Sequence, residues 1–585
     1  MMDMQEFYRG ASFDDYRYFG AQRAEKGFVF RTFAPNAAHV GLLLNGTEFP
    51  MSKIYDGNVY ELHVGQAAAG DVYEFRIYHR DGSYTDHCDP YGFQMQLRPA
   101  HKSIVCEPAF VFSDGAWMQT RTERTREPLQ IYEMHFGSWR KPDGGGWYRY
   151  DELAQPLIAY LLENGYNYVE FLPLSEHPCD ESWGYQNTGF FAATSRYGAP
   201  QQLMFLINEL HKNKIGAILD FVPVHFAVDD YGLRLYDGTA LYEYPNTDVG
   251  KSEWGSCNFI HSRGEVRSFL QSAADFWLNV YHFDGLRMDA VSRMIYWQGD
   301  ERRGVNGAAV EFIRGMNRGL RRRNRGVMLI AEDSTNYPNI TKPVGEGGLG
   351  FDYKWDMGWM HDTLSYFQSP PVRRPDLSGQ LTFSMDYFYN ERYLLALSHD
   401  EVVHGKATIL QKMNGEYSGK FPQARALYLY MMIHPGKKLN FMGNEIGQLR
   451  EWDEKREQDW EILRYPAHDG FRAYIRRLNA IYLEHPALWE TDFEKQGFAW
   501  LDRGQTFPCV YAVRRSGGGE TLAALFNFSE EPQSYALSGL HSQKRPEMLL
   551  HSDWEAFGGK IRESEKIAQS ISLPAFSGVL LRIEE

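Results

Sequence analysis

The sequence predicts a multidomain α/β protein: a central (β/α)8 barrel, preceded by a β-sandwich and followed by an all-β domain. Three observations carry this. Residues 27–113 alternate in short β-like runs, residues 129–487 alternate strand-like apolar segments with amphipathic helices, and residues 490–585 return to short β runs. At 585 residues the chain exceeds what one ordinary core organises. The expected boundaries are 1–115 for the first domain, 116–487 for the barrel and 488–585 for the last.

In the first domain, "GFVFRTFAP", "HVGLLLNG", "VYELHVG" and "DVYEFRIYHRDGSY" are separated by Gly, Asn and Asp turns. Short strands at that spacing predict a sandwich. The polar stretch "RTERTREPLQ" (121–130) reads as a linker. Eight strand candidates follow: "LQIYEMHFG", "YNYVEFLPL", "GAILDFVPVH", "HFDGLRMDAV", "VMLIAED", "LGFDYKWD", "YLLALSHDE" and "KLNFMGNEIG". Helices are expected over 151–164, 200–214 and 264–281. In the last, Val266, Phe269, Leu270, Ala273, Trp277 and Val280 form one apolar stripe, and Ser262 with Glu265 matches a capping box. Alternation alone also fits a doubly wound sheet. The polar residues that end most of these strands favour a barrel, whose chemistry sits at the carboxyl-end rim. The patch "RRRNR" (321–325) precedes a strand, at the opposite end, and reads as a solvated helix face. "FAWLDR", "CVYAVRR", "ETLAALFNF" and "SGVLLRIEE" supply the terminal β domain.

Lys and Arg number 61 against 76 Asp and Glu, a net charge of −15. Nucleic acid and anionic membranes are thereby disfavoured as partners, whereas a neutral polymer such as a polysaccharide meets no repulsion. The five scattered cysteines show no metal or CxxC spacing, which fits a reducing compartment. With no signal pattern at the start and no apolar run of membrane length, the protein is expected to be soluble and cytoplasmic.

The polar strand ends are Asp220 and His225, Arg287 and Asp289, Glu332 and Asp333, and His399, Asp400 and Glu401. Carboxylates with Arg and His around one pocket serve either to bind a divalent metal or to break a glycosidic bond. Glycoside cleavage needs one carboxyl to protonate the leaving oxygen and one to attack or to activate water. Arg287 and Asp289, two apart on a strand, share a face. There the guanidinium keeps the aspartate an anion, while Glu332 follows the apolar "VMLIA", where desolvation favours its protonated form. Taken singly each has a plainer reading: Arg287 and Asp289 as a structural ion pair, Asp220 as a loop cap, His225 or His399 as a rim histidine, Glu401 as part of a solvated loop. A metal cluster is the weaker alternative, since no HExxH or two-His-one-carboxylate spacing occurs.

Four stretches in order, "DFVPVHF" (220–226), "GLRMDAVSRMIY" (285–296), "LIAEDST" (329–335) and "LSHDEVVHGK" (397–406), resemble the conserved regions of the α-amylase superfamily, glycoside hydrolase family 13. "IYEMHFGSWR" (131–140), "PLSEHPCDESWGYQNTGFFAATSRYG" (173–198), "YDGTALYEY" (236–244) and "KLNFMGNEIGQLREWD" (438–453) are similar to its 1,4-α-glucan (glycogen) branching enzymes in particular, and the resemblance runs from about residue 16 to the end. "FRTFAPNAAHVGLL" is similar to that family's amino-terminal, carbohydrate-binding-module-like sandwich.

The resemblance implies a transglycosidase of glycogen biosynthesis that cuts internal α-1,4 bonds and transfers the chain to a C6 hydroxyl. Asp289 would be the nucleophile, Glu332 the acid and then base, and Asp400 the residue that grips substrate hydroxyls at the transition state. Arg287 would position Asp289, His225 and His399 would hydrogen-bond the donor sugar, Asp220 would support the His225 loop, and Tyr185 in "WGYQ" would stack under the sugar at the cleavage point. The two reacting carboxyls should lie about 5–5.5 Å apart. No cofactor is implied, and Val224 stands where α-amylases carry a calcium-ligating Asn, so no required metal is expected. The implied partner is glycogen or amylose, acted on by a monomer, with an oligomer as the alternative. "ERRGVNGAAVEF" (301–312), Asp333 and Tyr337 in "EDSTNYP", and "MGNEIGQ" depart from the family pattern and bear on transferred-chain length and acceptor preference. The rivals are a hydrolase on the same scaffold, of malto-oligosyltrehalose trehalohydrolase or debranching type, and a non-catalytic glucan-binding protein.

Overall fold

The computed structural model describes residues 2–540, 542, 544–563 and 569–584. Eight strands close into a barrel. They are β1 (Gln130–Met134), β2 (Tyr168–Phe171), β3 (Gly216–Phe221), β4 (Gly285–Met288), β5 (Met328–Ala331), β6 (Tyr353–Trp355), β7 (Tyr393–Leu397) and β8 (Lys437–Phe441). Each falls on a segment the sequence marks as a strand, and every residue in all eight is buried. That is why these segments read as mainly apolar runs rather than alternating ones: a parallel sheet closed on itself covers both faces.

The chain forms two compact units. One comprises Met1–Thr122, Lys141–Pro156 and Phe171–Phe351, the other Glu123–Arg140, Leu157–Glu170 and Asp352–Glu585. In the first unit, β3, β4 and β5 are parallel neighbours, in a register that pairs Asp220 with Arg287 and Arg287 with Ile330. Helices α1 (Tyr150–Glu163), α2 (Pro200–Lys212), α3 (Gly264–Asn279) and α4 (Gly307–Arg323) follow β1 to β4 in the chain, and α5 (Met357–Gln368), α6 (Tyr417–Ile433) and α7 (Pro466–Glu484) follow β6 to β8. Between β5 and β6 stands only the three-residue turn Val344–Glu346, so the eight-fold alternation lacks one helix among the described residues.

Three local expectations are corrected. Helix α3 buries Val266, Phe269, Leu270, Ala273 and Trp277 of its predicted stripe, with Val280 its half-buried C-cap, but its N-cap is Arg263, with no side-chain cap, so Ser262 and Glu265 form no capping box. Within "RRRNR", Arg322, Arg323 and Arg325 are exposed as expected, but Arg321 is half-buried and donates to the Gly350 carbonyl at 2.9 Å, Arg323 also lies 3.1 Å from Asp275, and Asn324 is buried. The linker stretch begins on a buried residue: Arg121 donates to the Phe283 carbonyl at 3.1 Å and lies 3.6 Å from Asp284.

Before the barrel stand a four-stranded sheet (20–23, 28–33, 59–64, 52–54) and a five-stranded one (39–44, 47–50, 72–78, 84–87 and 103–104). Phe28, Phe30, Val40, Leu42, Val59, Tyr73, Phe75 and Ile77 are interior, with Phe30 edge-on to Tyr73 at 5.1 Å. After the barrel, a five-stranded sheet (498–503, 510–517, 520–527, 577–583, 547–551) and a two-stranded one (533–536, 570–573) enclose Val510, Leu525, Leu573, Val579 and Leu581.

Candidate active site

In the first unit, the site begins where β3, β4 and β5 end. Register brings Asp220 beside Arg287, and both are buried. Nη1 of Arg287 lies 2.8 Å from each oxygen of Asp220 and 2.7 Å from Oδ1 of Asp289, and its Nη2 lies 3.9 Å from Oε2 of Glu332. One guanidinium thus gathers three carboxyl groups. The side chains of Asp289 and Glu332 keep 15% and 16% of their surface open, so both reach solvent or a substrate while Arg287 stays beneath.

The backbone continues the ladder past the strands. Asp289 N–H donates to the Phe221 carbonyl, Glu332 N–H to Met288 and Val291 N–H to Glu332, at 2.9–3.0 Å. Between them Ala290 adopts φ 45°, ψ 45°, left-handed and unfavourable for a residue with a Cβ. Its N–H is thereby aimed at Oε2 of Glu332, 2.7 Å away. The strain sits at the one residue joining the turn after Asp289 to the Glu332 carboxyl, and holds the two acids in fixed relation.

Tyr185 is half-buried and its hydroxyl donates to Oδ2 of Asp220 at 2.5 Å. Burial pushes the Asp220 carboxyl up to about 7, while Arg287 pulls the other way. The imidazole of His225 is buried and pushed down to about 4 by desolvation, hence neutral at pH 7, and its Nδ1 finds no hydrogen-bond partner among the described residues. A neutral imidazole suits hydroxyl ligands, to which it donates from one nitrogen and accepts at the other. Asp333, next to Glu332, is buried and accepts the Thr335 hydroxyl at 2.9 Å, a turn-building role.

In the second unit, His399 and Asp400 follow β7. His399 is buried against Glu133 of β1, which accepts its backbone N–H at 2.9 Å and stands 2.6 Å from its Nδ1. With Nδ1 tied to a carboxylate, Nε2 is left to face Asp400, 3.5 Å away, whose side chain is 45% exposed. Glu401 turns inward to Lys406 at 3.2 Å. Glu133 and Ala290 are the contributors that the sequence reading missed. Glu133 lies inside an apolar strand, and a charge there was the available signal; the left-handed turn at Ala290 leaves no mark in residue type.

No group of three or more His, Cys, Asp or Glu among the described residues is placed to hold a metal ion. No helix of the described residues is long and apolar enough to cross a membrane.

Residues 18–92 match the family model of carbohydrate-binding module 48 (isoamylase N-terminal domain). The solved structure of pullulanase type I from Bacillus subtilis, complexed with maltose, superposes with a TM-score of 0.76 over 98% of this chain and 87% of that one, at 18% identity, a likeness of fold. At the level of sequence, the chain is 40% identical to the 1,4-alpha-glucan branching enzyme GlgB of Fusobacterium nucleatum over 97% of its own length and 94% of the relative. It is also 40% identical to GlgB of Bacillus caldolyticus, over 98% and 88%. Two-fifths identity sustained over nearly the whole of both chains, on a closed barrel whose third to fifth strands end in linked acids, means that the chain belongs to the GlgB family of 1,4-alpha-glucan branching enzymes.

Proposed function

We propose that the protein is a 1,4-α-glucan branching enzyme of glycogen synthesis working by double displacement on Asp289 and Glu332. An Asp289 oxygen attacks the anomeric carbon of an internal glucosyl residue while Glu332 gives its proton to the departing O4. The C1–O4 bond breaks and a glycosyl ester forms. A C6 hydroxyl of a glucan then attacks the same carbon, its proton passing to Glu332, and Asp289 leaves. Two inversions restore the α configuration and create an α-1,6 branch.

The observation that carries this reading is the single guanidinium of Arg287 in reach of Asp220, Asp289 and Glu332. One positive charge among three carboxyl groups offsets their mutual repulsion, so that Asp289 and Glu332, both partly open, can serve one glycosidic bond. In the first unit His225, neutral, is assigned to hydrogen-bond the donor sugar. In the second, His399, oriented by Glu133, is assigned the same role, and Asp400 is assigned to substrate hydroxyls. Tyr185, its hydroxyl fixed on Asp220, offers its ring to the sugar at the cleavage point. Asp220 holds Tyr185 and Arg287 in place. We assign residues 1–115, 116–487 and 488–585 to the carbohydrate-binding-module-like sandwich, the catalytic barrel and the terminal β domain, and the monomeric enzyme to the cytoplasm.

Branching of amylose lowers its iodine colour without releasing reducing ends in proportion, whereas a hydrolase releases them. The purified protein is expected to do the first. Asp289→Asn is expected to lose at least about a thousandfold in rate with its fold retained, the scale on which catalytic groups act. Full activity in that variant would overturn the assignment.

A further inference from the structure

An indole of the first unit stands open to solvent beside the residues above. Trp254, in the loop between β3 and α3, is 47% exposed, yet it has defined neighbours. Its backbone N–H donates to the Ser252 hydroxyl at 3.2 Å, and its backbone carbonyl accepts Nε2 of Gln186, the neighbour of Tyr185, at 3.3 Å. The guanidinium of Arg293, four residues beyond Asp289, lies over the indole with Cζ 5.2 Å from the ring centroid, and is itself tied to Glu253 and the Gln298 carbonyl. The ring of His225 meets it at 5.3 Å, tilted by 41°. Leaving a large apolar ring in water forgoes stabilisation, yet the backbone of Trp254 is fixed by two hydrogen bonds and its ring is flanked by the Arg293 guanidinium and the His225 imidazole. An ordered, exposed aromatic that touches a proposed sugar ligand is built for an occupant.

We infer that Trp254 is a stacking platform for a glucosyl residue of the bound α-glucan, adjoining the one that His225 contacts. A pyranose presents a C–H face that an indole covers, while its hydroxyls remain outward for water or polar groups. The inference rests on the reading that this rim takes an α-glucan. It adds a binding subsite on the β3–α3 loop that sets how the chain lies across the acids.

Maltoheptaose titrated calorimetrically into the full-length protein carrying Asp289→Asn, so that ligand is not turned over, tests it. Adding Trp254→Ala is expected to weaken binding about tenfold, roughly the worth of one stacked ring, and Trp254→Phe to restore most of it. In the active background, the Trp254→Ala loss appears in KM for amylose, and the change in protein fluorescence on adding maltoheptaose shrinks in Trp254→Phe. Equal affinity in Trp254→Ala and its parent overturns the inference, as does a loss that comes with a lowered melting temperature and no recovery in Trp254→Phe. Failure of the functional reading shows separately: the wild-type protein would then release reducing ends from amylose without branching it, whatever Trp254 does. A parent that binds no maltoheptaose overturns both.

Discussion

Glu133 shows what a single side chain does without touching substrate in the proposed reaction. It is wholly buried within β1, and both its oxygens serve His399. A buried carboxylate with two donors fixes which imidazole nitrogen carries the proton, and hence which one faces outward. Glu133→Gln keeps the shape but sets an amide N–H₂ against one of two donors. A charged hydrogen bond is worth about 1.5–3 kcal/mol, so kcat/KM is expected to fall about 10- to 100-fold. A variant that is merely less stable, with kcat/KM unchanged at a temperature where it is folded, would leave Glu133 a structural residue. The contrast in legibility is physical. Arg287 and Asp289 are two apart, and strand periodicity alone puts them on one face. Glu133 and His399 are 266 residues apart, and only barrel closure brings them together.

Among elements, the strands were legible because burial on both faces favours apolar residues at most positions, and the polar ones that remain, such as Glu133 and Arg287, are paired. What fixes the far ends of these elements was not legible. At the C-terminus of α2, His211 is buried between Asp114 at 2.8 Å and Asp284 at 3.0 Å, and Asp114 also meets His282 at 2.9 Å. Asp284 further accepts the Ala217 N–H at the start of β3 and the Trp117 indole N–H, both at 2.8 Å. Burial alone would push the His211 imidazole down, but Asp284 and Asp114 together raise it from 6.5 to about 9. A raised basic group stabilises the fold fully below its unfolded value, and the contribution is lost as pH rises through its folded value. Stability to denaturant is therefore expected to fall between pH 6.5 and 9, by up to the order of 3 kcal/mol, from 1.36 kcal/mol per pH unit. The same titration of His211→Asn should lack that slope. A wild-type curve flat across this range would contradict the clamp.

At the scale of the molecule, the proposed boundary at residue 487 separates sequences of different rhythm, but the second unit is sewn across it by buried charge. Asp492 receives Arg515 of the terminal sheet at 2.8 Å and Lys437 of β8 at 3.0 Å, and all three side chains are fully buried. Arg515 also donates to the carbonyls of Ile433, the last residue of α6, and Gly497. Arg374 reaches the Phe528 carbonyl at 2.9 Å, and Arg425 of α6 reaches Asp553 at 3.3 Å and the Phe557 carbonyl at 3.1 Å. Burying a cation is tolerated only when it is paired, and removing one partner from a buried set costs about 3–5 kcal/mol. Asp492→Ala leaves two cations facing each other in the interior, so it should melt well below wild type, and restoring charge balance with Lys437→Met in the same chain should recover part of the loss. A chain ended at residue 487 strips Lys437, Arg374 and Arg425 of these partners together and exposes the face of α6 that packs on Gly578. Such a chain is expected to aggregate rather than branch amylose, since Arg425 and Lys437 lose their buried carboxylates and Arg374 loses one acceptor. Soluble, active protein from residues 1–487 would show instead that the terminal domain is dispensable and that the buried ion network contributes nothing to folding the barrel.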